Sequence, residues 1–189
     1  MIIHEGLFIT PIEIHKINLF EEGLISKELN ELLEKSVKDN IGPKNYKTNL
    51  KGKMTNYDFW NIHTSNLFKI IKNLLDKYFL NKVDLDCKDI WGGIYNKGDY
   101  ATPHLHLPSL LSWVYYVKCE NKNSGLTFHN RYNSNNHNVE MLNIQPKTGD
   151  LIIFPSYILH SVKEEKNDKE RIIIAGNCNN KDIKKSSLN

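Results

Sequence analysis

Two histidines, His104 and His106, flank a single leucine in the stretch YNKGDYATPHLHLPS, which runs from Tyr95 to Ser109 with Pro103 and Pro108 around the pair. In an extended segment, residues two apart project to the same side. Imidazoles so placed can pack in a core, touch nucleic acid, or act as two ligands of one metal ion. A metal requires a further donor, and His160, closing the run SYILHSV, is the candidate. Beyond a charged stretch, KEEKNDKE, Arg171 opens the apolar run RIIIAGN. A guanidinium at the start of a buried strand is costly unless it meets an anion. That run holds no carboxylate, which points to a ligand, and the planar fork of arginine suits a carboxylate bidentately. The chemistry implied is a metal ion beside an anion-binding arginine.

The surrounding segments indicate what holds these groups. Residues 7–19, LFITPIEIHKINL, alternate through Phe8, Ile12, Ile14 and Ile17 as a half-buried strand does. Ser26 is placed to cap a helix carrying Leu29, Leu32, Leu33 and Val37 on one face, ended by Asn40, Gly42 and Pro43. Residues 44–60 are polar and read as a loop or lid. A second helix is expected from about Ser65, with Leu67, Phe68, Ile71, Leu74, Leu75 and Tyr78 at helical spacing. After Lys82, short strand-like runs alternate with turn signals, as in a β-sandwich or barrel. KEEKNDKE must be a solvent loop. The predicted class is α+β: two N-terminal helices on one outer face of a double-stranded β-helix, or jelly roll. One domain is expected over 1–180, helical over about 24–80 and jelly-roll over about 87–177, with a polar tail at 181–189.

The pattern of His-x-His, a distant histidine and a downstream arginine resembles the non-haem iron oxygenases that use 2-oxoglutarate. YNKGDYATPHLH is similar to the approach to the metal in prolyl-4-hydroxylase-like members, with Tyr95, Gly98 and His104 in register. WVYYVK resembles a strand whose second tyrosine contacts the cosubstrate, here Tyr116. More narrowly, LFITPIE, the block Lys97 to Ser112, and the segments Phe154–Val162 and Glu170–Asn177 resemble small 2OG-Fe(II) oxygenases of bacteria and phages. The resemblance implies that His104, His106 and His160 bind Fe(II). It implies that Arg171 and Tyr116 bind 2-oxoglutarate, with O2 as cosubstrate and ascorbate as a supporting reductant; Tyr116 divides between this contact and ordinary sheet packing, and Tyr95 between closing over the cosubstrate and packing. The implied activity hydroxylates a substrate C–H bond while 2-oxoglutarate becomes succinate and CO2.

Position 106 departs from the usual His-x-Asp pattern. Three imidazoles with dianionic 2-oxoglutarate make the Fe(II) site neutral overall; a carboxylate ligand would add a negative charge. The change should raise the reduction potential of the iron and weaken discrimination against Zn(II), which favours imidazole. His106 could instead only hydrogen-bond. Two other readings stand beside the oxygenase: a catalytically silent jelly-roll module that binds metal or ligand, and a three-histidine dioxygenase or cupin isomerase that does not use 2-oxoglutarate. Arg171 speaks against the latter. Ser112, Asn177 and Arg131 are candidates for the substrate pocket. Ser109 divides between pocket and turn, and His129 between a substrate entrance and a plain loop. Trp60, Trp91 and Trp113 read as core more than as a substrate platform, while His4, His15 and His63 read as ordinary core or surface residues.

Bulk properties narrow the rest. With 189 residues, 40% hydrophobic and 25% charged, the chain suits one globular domain with a core large enough for a pocket. A net charge of +3 spread along the chain gives no basic face, so nucleic acid is not the expected partner. A small-molecule or peptidyl substrate is expected. No apolar run reaches the roughly 20 residues that cross a bilayer. The first residues do not read as a signal peptide, and Cys87, Cys119 and Cys178 show no CxxC spacing. These point to free thiols and a cytoplasmic address, in a bacterium or a phage-infected cell.

Overall fold

The computed structural model describes residues 2–3, 13–42, 48–78, 84–120, 125–129 and 141–181. Twelve strands and two helices are described: β1 Ile2–Ile3, β2 Ile14–Asn18, α1 Lys27–Asp39, β3 Leu50–Lys51, β4 Lys53–Met54, α2 Ile62–Tyr78, β5 Leu85–Tyr95, β6 Tyr100–His104, β7 Leu111–Lys118, β8 Leu126–His129, β9 Met141–Ile144, β10 Asp150–Pro155, β11 His160–Val162 and β12 Arg171–Asn180. A seven-stranded sheet runs β1-β2-β10-β7-β12-β5-β4, and a five-stranded sheet runs β3-β6-β11-β8-β9. All strand pairs are antiparallel, and from β5 to β8 and again from β9 to β12 successive strands alternate between the two sheets. The fold is the expected double-stranded β-helix.

The larger sheet divides two apolar clusters. On its outer face Leu33 and Val37 of α1, and Leu67, Ile71 and Leu75 of α2, pack against Ile90, Tyr115, Val117, Leu151, Ile172 and Ile174. Its inner face presents Trp91, Tyr95, Val114, Tyr116, Ile152, Phe154, Ile173 and Ala175 towards the smaller sheet. Period-two alternation along β7 accounts for the split, with Tyr115 facing the helices and Val114 and Tyr116 the interior. Helix α1 begins as the sequence indicates, with the Ser26 hydroxyl accepting from the Leu29 N–H at 3.2 Å. It is also tied to the sheet by polar bonds: Tyr115 Oη donates to Asn30 Oδ1 at 2.8 Å, and Asn30 Nδ2 donates to the Val117 carbonyl at 3.1 Å. Gly92 permits the close approach, since a Cβ there would lie 2.8 Å from a Val37 methyl.

Several expectations are corrected. Leu32 lies on the solvent side of α1 at 44% exposure, and the buried place is taken by Asn30, whose polar bonds satisfy it. Helix α2 starts at Ile62 rather than Ser65, because Asn61 caps it through Oδ1 bonds from the His63 and Thr64 N–H groups. The 44–60 segment is no simple loop: β3 joins β6 in one sheet and β4 joins β5 in the other. Within the charged stretch before Arg171, Glu165 is buried, its backbone bonded to Asp99 and Gly98. The predicted 7–19 strand is described as β2 over its last part, and residues 7–12 lie outside the described residues. Most of the polar tail also lies outside them.

Candidate metal centre

His104 and His160 are direct partners across the β6–β11 ladder, at the ends of their strands. A tight turn feeds β6: Gly98 takes φ 85°, Asp99 Oδ2 accepts from the Asn96 N–H at 2.8 Å, and the chain reverses from β5. His106 lies just beyond the strand, where its N–H donates to the Ser156 carbonyl at 2.9 Å and its carbonyl accepts from the Ser109 N–H at 2.9 Å. The three rings converge, with centroids 4.3 Å apart for His104 and His160, 4.9 Å for His104 and His106, and 5.0 Å for His106 and His160.

The hydrogen bonds orient the nitrogens. His104 Nδ1–H donates to the Thr102 carbonyl at 2.7 Å, and His160 Nδ1–H donates to the Ile158 carbonyl at 2.9 Å. A carbonyl can only accept, so each of these rings carries its bare Nε2 towards the centre. One nitrogen from each of the three histidines lies within 4.8 Å of the others, and His106 Nε2 is 3.2 Å from His160 Nε2. Metal–imidazole bonds of about 2.1 Å at right angles bring adjacent nitrogens to roughly 3 Å. Burial lowers all three imidazole pKa values, to about 4 at His106 and about 2 at His160, with the neighbouring His104 adding to both shifts. Phe154, 4.7 Å from His160 between ring centroids, supplies part of that apolar wall. Neutral imidazoles with inward lone pairs are the donor set a divalent first-row metal takes.

These rings open onto a cavity of about 400 Å3 between the two sheets. Arg171, Ile173, Ala175 and Asn177 of β12 line it in sequence. Arg171 is 1% exposed, paired across the ladder with Tyr95, and its guanidinium lies 4.2 Å from the centre of the Tyr95 ring. Tyr116 lines the same end. Burial pushes the Tyr95 phenol up to about 12 and raises Tyr116 further, so both are neutral O–H groups near pH 7. A buried cation flanked by two phenols beside the imidazoles suits a small diacid that also reaches the metal. Both implied groups, Fe(II) and 2-oxoglutarate, fit the residues present.

At the other end of β12, Asn177 pairs with Ser112 on one side and Asp89 on the other. Ser112 Oγ donates to Asn177 Oδ1 at 2.9 Å and lies 2.7 Å from Ser156 Oγ. Ser112, Asn177 and Ser109 all line the cavity, as does Trp91. His129 does not: its Nε2 bonds Ser161 Oγ at 2.8 Å on the smaller sheet. Arg131 lies outside the described residues. Trp113 and Trp91 are buried as expected, whereas Trp60 is 38% exposed. Sequence reasoning missed Asp89 and Tyr57 at the cavity wall. The period-two spacing of Asp89, Trp91 and Tyr95 along β5 was the available signal for Asp89; Tyr57 had none.

Residues 89–177 match a family described as "Putative 2OG-Fe(II) oxygenase". No curated protein matches the chain by sequence. Among solved structures, the chain is similar to a prolyl-4-hydroxylase of Pseudomonas putida, with 13% identity, 89% of this chain and 92% of that one covered, and a TM-score of 0.64. It is similar to a prolyl hydroxylase of Trichoplax adhaerens in complex with a hypoxia inducible factor oxygen degradation domain peptide fragment, with 14% identity, 93% and 87% covered, and a TM-score of 0.68. A viral collagen prolyl hydroxylase from Paramecium Bursaria Chlorella virus-1, in a 2OG complex, shares 20% identity over 87% and 94% of the two chains, with a TM-score of 0.59. Among the described residues no helix is long and apolar enough to cross a membrane.

Proposed function

We propose, from the match of residues 89–177 to the 2OG-Fe(II) oxygenase family, that His104, His106 and His160 hold Fe(II), that Arg171, Tyr116 and Tyr95 hold 2-oxoglutarate, and that the protein hydroxylates a C–H bond of a substrate admitted to the same cavity. The observation that carries this reading is the convergence of three neutral imidazoles on a cavity that a buried arginine also lines. When bound, the iron and keto acid together supply O2 activation driven by oxidative decarboxylation to succinate and CO2.

The chain's own part is positioning and exclusion. The carbonyls of Thr102 and Ile158 fix two imidazoles in one tautomer, which keeps Nε2 available for the metal. Arg171 anchors a carboxylate bidentately, while Tyr95 and Tyr116 keep their protons and donate. Leu126, Val162 and Ile173 line the cavity with apolar surface that keeps water out. Ser112 and Asn177 line it near the far end of β12. Two elements thus hold the two reactants against one metal.

The test is succinate release from 2-oxoglutarate by the Fe(II)-loaded protein, with and without ascorbate, beside anaerobic 2-oxoglutarate titration followed by absorbance. Turnover abolished in His160→Ala and reduced in Arg171→Ala supports the reading. Absence of keto-acid binding to the metal-loaded protein leaves only a metal-binding module.

A further inference from the structure

Along β12 and β5 the cavity wall carries one charged group towards each end. Arg171 and Tyr95 form the first row across β12 and β5. Asn177 and Asp89 form the last, six positions along the strand. At about 3.3 Å per residue the rows stand roughly 20 Å apart. Asp89 is the sole carboxylate among the described residues lining the cavity. No protein hydrogen bond or ion pair reaches its carboxylate among them, although the side chain is only partly exposed.

Its surroundings are selective. Trp91, two residues along the same strand, also lines the cavity, with its ring centroid 5.6 Å from that of His106. Tyr57 meets Trp91 edge-on at 5.2 Å and lines the same wall. An unpaired carboxylate beside two aromatic rings is the surrounding in which an organic cation gains both ion pairing and attraction to the ring faces. Asn177 contributes a donor at the same place. Its Oδ1 is committed to Ser112 Oγ, which fixes the amide orientation and leaves Nδ2 for a ligand.

We propose that the part of the cavity beside Asp89 is a recognition site for an ammonium group, held by Asp89 against Trp91 and Tyr57, with Asn177 Nδ2 donating to an oxygen on the same molecule. This rests on the reading of the cavity as the oxygenase site, and it names the substrate as an amine-bearing compound whose reacting carbon lies between Asp89 and the iron. The ammonium can come from a free amino acid or from a lysyl side chain.

The experiment measures binding to the metal-free full chain by saturation-transfer NMR, with 6-aminohexanoate, hexanoate, cadaverine, free L-lysine and a doubly blocked Gly-Lys-Gly peptide as probes. Succinate release with Fe(II) and 2-oxoglutarate is measured in parallel. The aminated probes bind and hexanoate does not. Asp89→Asn, close in shape to the native side chain, weakens 6-aminohexanoate at least tenfold and leaves 2-oxoglutarate affinity within twofold, while Asp89→Lys reverses the preference towards hexanoate. Asn177→Leu weakens lysine but not cadaverine, which has no oxygen. Whichever of free lysine and the blocked peptide stimulates succinate release identifies the source. Equal binding of hexanoate and 6-aminohexanoate, or an Asp89→Asn protein that binds amines normally, overturns the inference. If 2-oxoglutarate fails to bind while Asp89-dependent amine binding persists, the oxygenase reading fails and this site stands.

Discussion

Replacing Arg171 with methionine separates the two tasks assigned to that residue. Methionine has a similar reach and no charge, so the apolar contacts of a side chain now 1% exposed are largely kept. The loss of attraction to the Tyr95 ring, 4.2 Å away, costs about 1–2 kcal/mol. Relief from burying a guanidinium works in the opposite direction, and thermal denaturation reads the net of the two. Ligand affinity should fall steeply. A hydrogen bond to a charged group contributes about 1.5–3 kcal/mol, so a bidentate pair contributes about 3–6 kcal/mol. At 1.4 kcal/mol per tenfold, 2-oxoglutarate should bind roughly 100- to 10,000-fold more weakly. Arg171→Lys keeps the charge but loses the fork, and an intermediate loss of about 10- to 100-fold is expected. Anaerobic calorimetric titration of the Fe(II)-loaded proteins measures both, with thermal denaturation as the control for folding. A methionine variant that binds the keto acid within threefold of the parent would refute the assignment of Arg171 to the distal carboxylate.

Further outcomes follow from the same structure. His106→Ala should weaken Fe(II) binding by more than about 100-fold in chelator competition, more than loss of an outer-shell partner costs, whereas His106→Asp, which restores a carboxylate, should keep most of it. Gly176→Ala places a Cβ 2.6 Å from Trp113 Cζ2 and 2.8 Å from the Asp89 carbonyl; overpacking of this kind costs about 1–3 kcal/mol, and melting should fall by roughly 2–4 °C per kcal/mol. Leu33→Ala, at a fully buried position of α1, should cost about 2–5 kcal/mol in denaturant unfolding. The Glu170 carboxyl is held below 4.5, first by its bond to Lys38 and then by Lys118, against the raising effect of burial. A depressed folded pKa gives stability that is present above the unfolded value and lost as pH falls through the folded one. Glu170→Gln should therefore flatten the fall in melting temperature below pH 4.5, by less than about 1 kcal/mol for a half-exposed pair.

Much of the site was legible because its residues have few ordinary uses together. Three histidines and an arginine on strand-like runs left little room for a packing explanation, and Ser26 announced its helix through the usual cap. What stayed hidden depended on which strands become neighbours. Alternation fixes the face on which Asp89 lies but not that β12 brings Asn177 beside it. Cys87 and Cys178, far apart in the chain, become direct ladder partners for the same reason. The short β3 and β4 carry too little apolar pattern to be distinguished from a polar loop, since their pairing is set by the sheets they join. Glu165 is drawn inward by backbone bonds, which leave no trace in side-chain type.

The alternation of β12 makes the site and the folded state inseparable. Its residues 171, 173, 175 and 177 line the cavity, while Ile172 and Ile174 lie among the helix-facing residues. Sliding this strand by one residue would drive a guanidinium into hydrocarbon beneath the helices and expose isoleucines to the reactants. Both penalties fall on the same error, so the register that buries the strand is also the one that builds the cavity wall. Quality control of the chain and assembly of its chemistry are carried out by a single strand.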